Sequence, residues 1–292
     1  MIISTTEKEF FKKKNFINYN GELYDLSSPR VMGILNVTPD SFYDGGRYHH
    51  FKSAINRAEK MIAEGADIID VGACSTRPGA EMPDATEELN RLFPVVEAIK
   101  KSFPDVVLSV DTFRAKVASE LVEKFGCLMI NDISAGSLDN DMFSTIARLK
   151  VPYILMHMQG TPQNMQNNPV YKNVTKQVIY ELSRHLDNLY SMGVNDVIID
   201  PGFGFGKTID HNYELFNHLD AFRFFEMPLM VGVSRKSMIY KYFGTTPEDS
   251  LNGTTVLNTL ALQSGANILR VHDVKPAVEA IAIFNKLKQF AQ

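Results

Sequence analysis

Polar residues recur where short apolar runs end along this chain. They are Asn36, Asp70 and Thr76, Asp111, Asn131, His157, Asp200, Ser234 with Lys236, and Arg270 with His272. Side chains alternate along a strand with period two. If the runs are strands, Asn36 shares a face with Met32 and Ile34, Asp111 with Val107 and Ser109, and Asn131 with Met129. Likewise Asp200 follows Ile198, Ser234 follows Met230 and Gly232, and His272 follows Ile268 and Arg270. Carboxylates and amides also end strands as turn formers or helix caps, which accounts for any one of them. It does not account for eight runs that end alike with complementary chemistry.

That chemistry is selective. No Ser-His-Asp arrangement in a suitable context supports acyl transfer, and no His-rich cluster announces a transition metal. Facing Asp and Asn side chains suit a flat heterocycle, because a carboxylate accepts two parallel N–H bonds from an amino-pyrimidinone edge. Arg270 and His272 precede the helix expected from Val274, and arginine beside a helix N-terminus suits phosphate. The residues therefore suggest a ligand with a ring at one side and phosphate at the other.

The elements that must position them follow from pattern. Apolar runs at 31–35, 68–71, 106–110, 128–130, 153–156, 197–199, 229–231 and 268–271 are short, rich in Val, Ile and Leu, and mostly lack polar alternation. Strands buried on both faces read this way. Helical spacing appears at 53–64, with Gly65 as its stop, and again at 114–125, 141–149, 174–192, 213–219, 252–264 and 274–286. Asp84-x-x-Glu87 looks like a capping box opening a further helix, which Pro94 should break or restart. Eight strands each followed by a helix describe a (β/α)8 TIM barrel, whose site lies at the C-terminal strand ends. A doubly wound open sheet would normally show five or six strands. Asn20-Gly21 between two β-prone runs marks an N-terminal β-hairpin over 16–26. The expected division is an extension with hairpin over 1–30 and a barrel over 31–292.

Composition agrees. The 292 residues are 45% hydrophobic and 22% charged, which excludes a disordered chain. No apolar run reaches the roughly 18 residues that span a bilayer. The net charge of −4 disfavours a nucleic-acid partner. No apolar segment follows the basic start as a signal peptide requires, and Cys74 and Cys127 form neither a disulfide framework nor a zinc site. The expected location is cytoplasmic. The stretch Gly202-Phe203-Gly204-Phe205-Gly206-Lys207-Thr208 fits neither G-x-G-x-x-G nor a P-loop, whose first glycine would fall on Pro201.

Eight stretches at the strand ends carry a family likeness. They read Asn36-Val37-Thr38-Pro39-Asp40-Ser41-Phe42, Ser75-Thr76-Arg77-Pro78-Gly79-Ala80, Ser109-Val110-Asp111-Thr112, Ile130-Asn131-Asp132, Met156-His157-Met158, Asp200 through Lys207, Ser234-Arg235-Lys236-Ser237 and Arg270-Val271-His272-Asp273. In these the chain closely resembles the dihydropteroate synthase family. The resemblance implies condensation of 6-hydroxymethyl-7,8-dihydropterin diphosphate with p-aminobenzoate to give 7,8-dihydropteroate and pyrophosphate. It implies that Asp111, Asn131, Met156, Asp200, Phe205 and Lys236 hold the pterin. Thr76, Arg270 and His272 would hold the diphosphate, with Asn36 binding Mg²⁺. Phe42, Arg77, Pro78 and Ser237 would border p-aminobenzoate. Asp111, Lys236, Arg270 and His272 would be catalytic, and family members are commonly homodimers. The loops at 37–50 and 73–84 would close over the site.

Three rivals share parts of this pattern. A methyltetrahydrofolate-dependent methyltransferase barrel would keep the strand-end Asp and Asn but has no use for Thr76-Arg77-Pro78 or Arg270-Val271-His272. A non-catalytic pterin-binding paralogue would be expected to lose Asp111, Lys236 or Arg270, and all three are present. An aldolase would use Lys236 as a Schiff-base lysine, and no second inward lysine is expected to support it.

Overall fold

Burial on both faces makes each apolar run a strand. The structure is a computed structural model that describes residues 14–37, 46–74 and 82–290, with the backbone alone at 46–50. A hairpin comes first, β1 (Phe16–Tyr19) and β2 (Glu22–Asp25), paired antiparallel with Ile17 opposite Tyr24. Asn20 and Gly21 both take positive φ, 57° and 85°, as a two-residue turn of this type requires.

Eight parallel strands follow: β3 (Arg30–Asn36), β4 (Ile68–Gly72), β5 (Val107–Asp111), β6 (Met129–Asp132), β7 (Tyr153–Met156), β8 (Val197–Asp200), β9 (Met230–Val231) and β10 (Ile268–Val271). Their order is β8-β7-β6-β5-β4-β3-β10-β9, so β3 pairs with both β4 and β10. The remaining edges meet through a parallel bridge between Ile199 and Leu229. The expected TIM barrel is thus present, nearly closed, with its seam between β8 and β9.

Helices α1 (Gly46–Ala63), α2 (Ala85–Ser102), α3 (Ala115–Phe125), α4 (Met142–Leu149), α5 (Val174–Ser191), α6 (Ile209–Asn217), α7 (Ser237–Phe243), α8 (Leu251–Gln263) and α9 (Val274–Lys288) connect the strands. The outward residues of the strands, such as Val31, Ile69, Leu108 and Ile130, pack against the helices in one continuous core. The inward residues form a separate layer with one member per strand, from Met32, Ile68 and Val107 round to Met230 and Ile268. Ile17 and Leu26 of the hairpin join that layer, fully buried, and stopper the N-terminal end of the barrel. This leaves the polar strand ends at the opposite mouth, as the alternation predicts.

Two local expectations change. Pro94 does not break α2, which runs through it. Pro94 and Asn90, whose carbonyl loses its partner, are both exposed, so the missing bond falls on the solvent side while Leu92, Val95, Val96 and Ile99 stay buried. The capping box is half formed. Asp84 accepts from the Glu87 N–H at 2.8 Å, but the Glu87 carboxylate pairs with Arg91 at 2.9 Å instead. Helix α7 was not expected, since seven residues are too few to show a period.

Candidate active site

The second inward layer of the barrel is polar. Asp70 on β4 is fully buried, and its Oδ2 accepts from Asn131 Nδ2 at 3.0 Å and from Arg270 Nε at 2.7 Å. Arg270 Nη2 then reaches Asp111 Oδ2 at 2.7 Å. Strands β4, β5, β6 and β10 are thereby laced across the barrel by one guanidinium and one amide. A buried guanidinium is costly unless paired. Burial works against its charge, yet Asp70 and Asp111 hold it above its ordinary range.

Burial pushes Asp111 up to about 7, against the lowering effect of Arg270. Asp200 is also raised by burial, with Lys236 opposing. Its Oδ1 accepts the Gly202 N–H at 2.8 Å, which fixes the carboxylate at the start of the glycine-rich loop. Lys236 is the residue before α7. Its ammonium donates to the Phe203 carbonyl and stands 4.7 Å above the Phe205 ring. Burial pulls this lysine down to about 8, with Asp200 opposing.

Beyond β10, the His272 N–H donates to Ser234 Oγ at 3.1 Å, and Nδ1 lies 3.2 Å from the same oxygen. Burial, with Arg270 beside it, brings the imidazole down to about 4. At neutral pH His272 therefore offers a hydrogen bond rather than a charge. Arg235 is directed away from this mouth and clamps Asp273 through two bonds of 2.8 and 3.0 Å. Next to the polar floor stands an apolar wall of Phe113, Ile133, Met156, Met165 and Phe205. Asn36 ends β3 and is exposed. Gly72 keeps the space beside it open, because a Cβ there would lie 3.2 Å from Asp111 Cβ and 3.7 Å from Asn36 Oδ1.

A carboxylate-and-amide floor, a cation on each side and an apolar wall describe a slot for a flat, polar-edged ring that carries an anionic group. The profile of the pterin binding enzymes matches residues 32–272. The chain belongs to the dihydropteroate synthase family of these enzymes. The dihydropteroate synthase of Escherichia coli K12 is 45% identical over 265 residues, covering 90% of this chain and 93% of its own length. A Yersinia pestis dihydropteroate synthase in a sulfonamide drug complex superposes with a TM-score of 0.87 at 42% identity, covering 94% of this chain and 99% of that one. The Xanthomonas albilineans dihydropteroate synthase with 4-aminobenzoic acid also gives 0.87, at 37% identity, with 94% and 98% covered.

Of the residues that the family likeness singles out, Asp111, Asn131, Met156, Asp200, Phe205, Lys236, Arg270 and His272 come together at the one mouth. Ser237 is the first residue of α7, and Asn36 sits at the rim. Phe42, Thr76, Arg77 and Pro78 lie outside the described residues, as does most of the loop at 37–50. Sequence reasoning gave Asp70 no role of its own, although it shares a face with Ile68 and so was bound to point inward. It also missed Lys207, which is buried behind the glycine-rich loop. Its ammonium is fully engaged, at 2.8 Å to Gly202 O and 3.0 Å to Phe205 O, so it offers no free amine for an aldolase. Cys74 Sγ lies 3.7 Å from Arg114 Nη1, and burial, helped by Glu88, pushes its thiol up to about 12.

Proposed function

We propose that the chain joins 6-hydroxymethyl-7,8-dihydropterin diphosphate to p-aminobenzoate, giving 7,8-dihydropteroate and pyrophosphate for folate biosynthesis. The family membership supports the reaction. The observation that carries the assignment of residues is the Asp70–Arg270–Asp111 chain across the barrel mouth, between the pterin-shaped slot and the phosphate end.

In this reading Asn131 and Asp200 hold the pterin edge, Met156 and Phe205 pack its faces, and Lys236 donates to it. Arg270, His272 and Thr76 receive the diphosphate, and Phe42, Arg77, Pro78 and Ser237 border p-aminobenzoate. The bond from the pterin methylene carbon to the diphosphate oxygen breaks first, and both electrons leave with pyrophosphate. The ring spreads the positive charge that develops on the carbon, and ionised Asp111 stabilises it. The neutral aniline nitrogen then forms the new C–N bond and loses one proton to solvent. A strong base is unnecessary, because the aniline lone pair is free at neutral pH.

Among the described residues no group of three His, Cys, Asp or Glu side chains could cage a metal. The open space that Gly72 leaves beside the Asn36 amide oxygen and Asp111 fits a hard cation that keeps most of its water and phosphate ligands. Mg²⁺ bound there would offset diphosphate charge. Asn36 would supply one oxygen, and Arg270 and His272 would orient the leaving group.

The same reading takes the protein to be a cytoplasmic homodimer. No helix among the described residues is long and apolar enough to cross a membrane. Exposed Val256 and Leu260 of α8 with Ile283 and Leu287 of α9 supply the apolar surface for pairing. The division into an extension over 1–30 and a barrel over 31–292 belongs to the same reading.

The test mixes purified protein with Mg²⁺ and the pterin diphosphate, with and without p-aminobenzoate, and follows pyrophosphate and dihydropteroate together. Product that needs every component and collapses in Asp111→Ala supports the reading. Pterin binding without product would make the chain a non-catalytic paralogue.

A further inference from the structure

Lys207 lies in the one glycine-rich stretch that matches no phosphate-binding pattern, and its burial has no part in the steps above. An ammonium has three donors and no acceptor. Here each donor is used: Gly202 O at 2.8 Å, Phe205 O at 3.0 Å and His157 Nδ1 at 3.0 Å. His157 is itself buried and is held down to about 4 by burial and by Lys207, so its ring is neutral. A ring that accepts at Nδ1 carries its proton on Nε2, which stands 3.0 Å from Glu181 Oε2 on α5. Gln177 Nε2 fixes the other Glu181 oxygen at 2.9 Å.

The loop between Asp200 and Lys207 is wound around this ammonium. Gly202, Gly204 and Gly206 all take positive φ, and a Cβ on Gly202 would fall 1.8 Å from His157 O. Carbonyls 202 and 205 turn back to Lys207, while those of Phe203 and Gly204 turn outward to Lys236 and Gln166. The outward set is what meets the ring slot: Asp200 through the Gly202 N–H, Phe205 through its ring, and Lys236 through the Phe203 carbonyl.

We infer that Lys207 is a positioning residue for the pterin half of the site, acting with His157 and Glu181 from behind the loop to set Asp200, Phe205 and the acceptor of Lys236. The inference rests on the pterin reading of the slot. Burial, with Lys236 nearby, brings the Lys207 ammonium down to about 7, which fits a charge enclosed by carbonyls rather than by a carboxylate partner. Arg270 on β10, His272 just beyond it and Asn36 at the end of β3 make no hydrogen bond to Lys207, His157 or Glu181 among the described residues, so that part of the site should be indifferent to it.

The experiment uses the full chain with Mg²⁺. It measures the dissociation constant for the pterin diphosphate by calorimetry and KM for p-aminobenzoate by turnover, with thermal melting to show folding. Lys207→Met should weaken pterin binding at least tenfold and leave KM for p-aminobenzoate within twofold. His157→Gln, whose amide can both accept from Lys207 and donate to Glu181, should stay within twofold on both. Glu181→Ala removes a half-exposed anchor without emptying the core and should weaken pterin binding about threefold. Should Lys207→Met fail to fold, Glu181→Ala against His157→Gln decides. Pterin binding unchanged in a folded Lys207→Met, or both constants worsening together, overturns the inference. A wild type that binds pterin but forms no product overturns the functional reading instead, while the dissociation constants of the variants still decide this one.

Discussion

Arg270 and Asp111 stand 159 residues apart in sequence and 2.7 Å apart in the structure. The two are assigned to opposite halves of the substrate, the arginine to diphosphate and the aspartate to the pterin carbon. Under the proposed function, an arriving diphosphate would compete with Asp111 for the guanidinium, and binding the leaving group would free the carboxylate to meet the cation.

Under the proposed function, Asp111 is expected to set the acid limit of the reaction. Its folded value of about 7 lies above the ordinary carboxylate range, so the folded protein holds a proton there through the mildly acidic range and releases it near neutrality. Activity that needs the ionised form should fall below about pH 7 in the kcat/KM profile. Removing the opposing charge in Arg270→Met should move that limb to higher pH. A limb that stays in place or moves down would separate Asp111 from it. The same shift has a stability sign. The contribution of a raised carboxylate is complete below its unfolded value and is lost as pH rises through about 7. Melting of Asp111→Asn should lack that component.

By the same reading, Lys236 is expected to set the alkaline limit. Pulled down to about 8, it loses its proton where an ordinary lysine keeps it. The kcat/KM profile should therefore fall again above about pH 8, giving a narrow bell. Lys236→Met removes a charged donor, an interaction of about 1.5–3 kcal/mol. Pterin affinity should drop roughly tenfold to a hundredfold, read by calorimetry, and the alkaline limb should vanish.

Gly72→Ala tests the space beside Asn36. No backbone strain is involved, because Gly72 does not take positive φ. The new methyl would press on Asp111 at 3.2 Å. Half-maximal activity should require severalfold more Mg²⁺, with melting changed little. An unaltered Mg²⁺ titration would remove Asn36 and its neighbourhood from the metal site.

Ile17→Ala tests the stopper. Deleting a fully buried isoleucine side chain typically costs about 2–5 kcal/mol. Chemical unfolding should show a loss of that size, while kcat per folded molecule stays within twofold, because the site lies at the other mouth.

The strands were legible because burial on both faces leaves unbroken Val, Ile and Leu runs, and parity along them placed Asp111, Asn131, Asp200 and Arg270 inward. Pairing was not legible. Alternation says which way Arg270 points but not that Asp70 and Asp111 divide it, since that depends on how the strands stagger around the barrel. Lys207 was hidden for a related reason. Its partner His157 comes from a different loop, and only the winding of three left-handed glycines buries the lysine behind their loop. Helix α7 escaped because its seven residues hold too few turns for a period, and Pro94 misled because its loss falls on the wet side of α2.

The hairpin that stoppers the barrel also fixes the order in which this chain can finish folding. Ile17 and Leu26 are made early, yet the layer that receives them includes Met230 and Ile268, and the Leu26 carbonyl is held by Asn267 across 241 residues. Neither apolar side chain reaches its final seat until the last strand is synthesised. Closing a loop of that length costs conformational entropy before its contacts repay it. A growing chain therefore carries its stopper unseated through most of synthesis, and β10, the last strand made, decides when the barrel can be sealed from below.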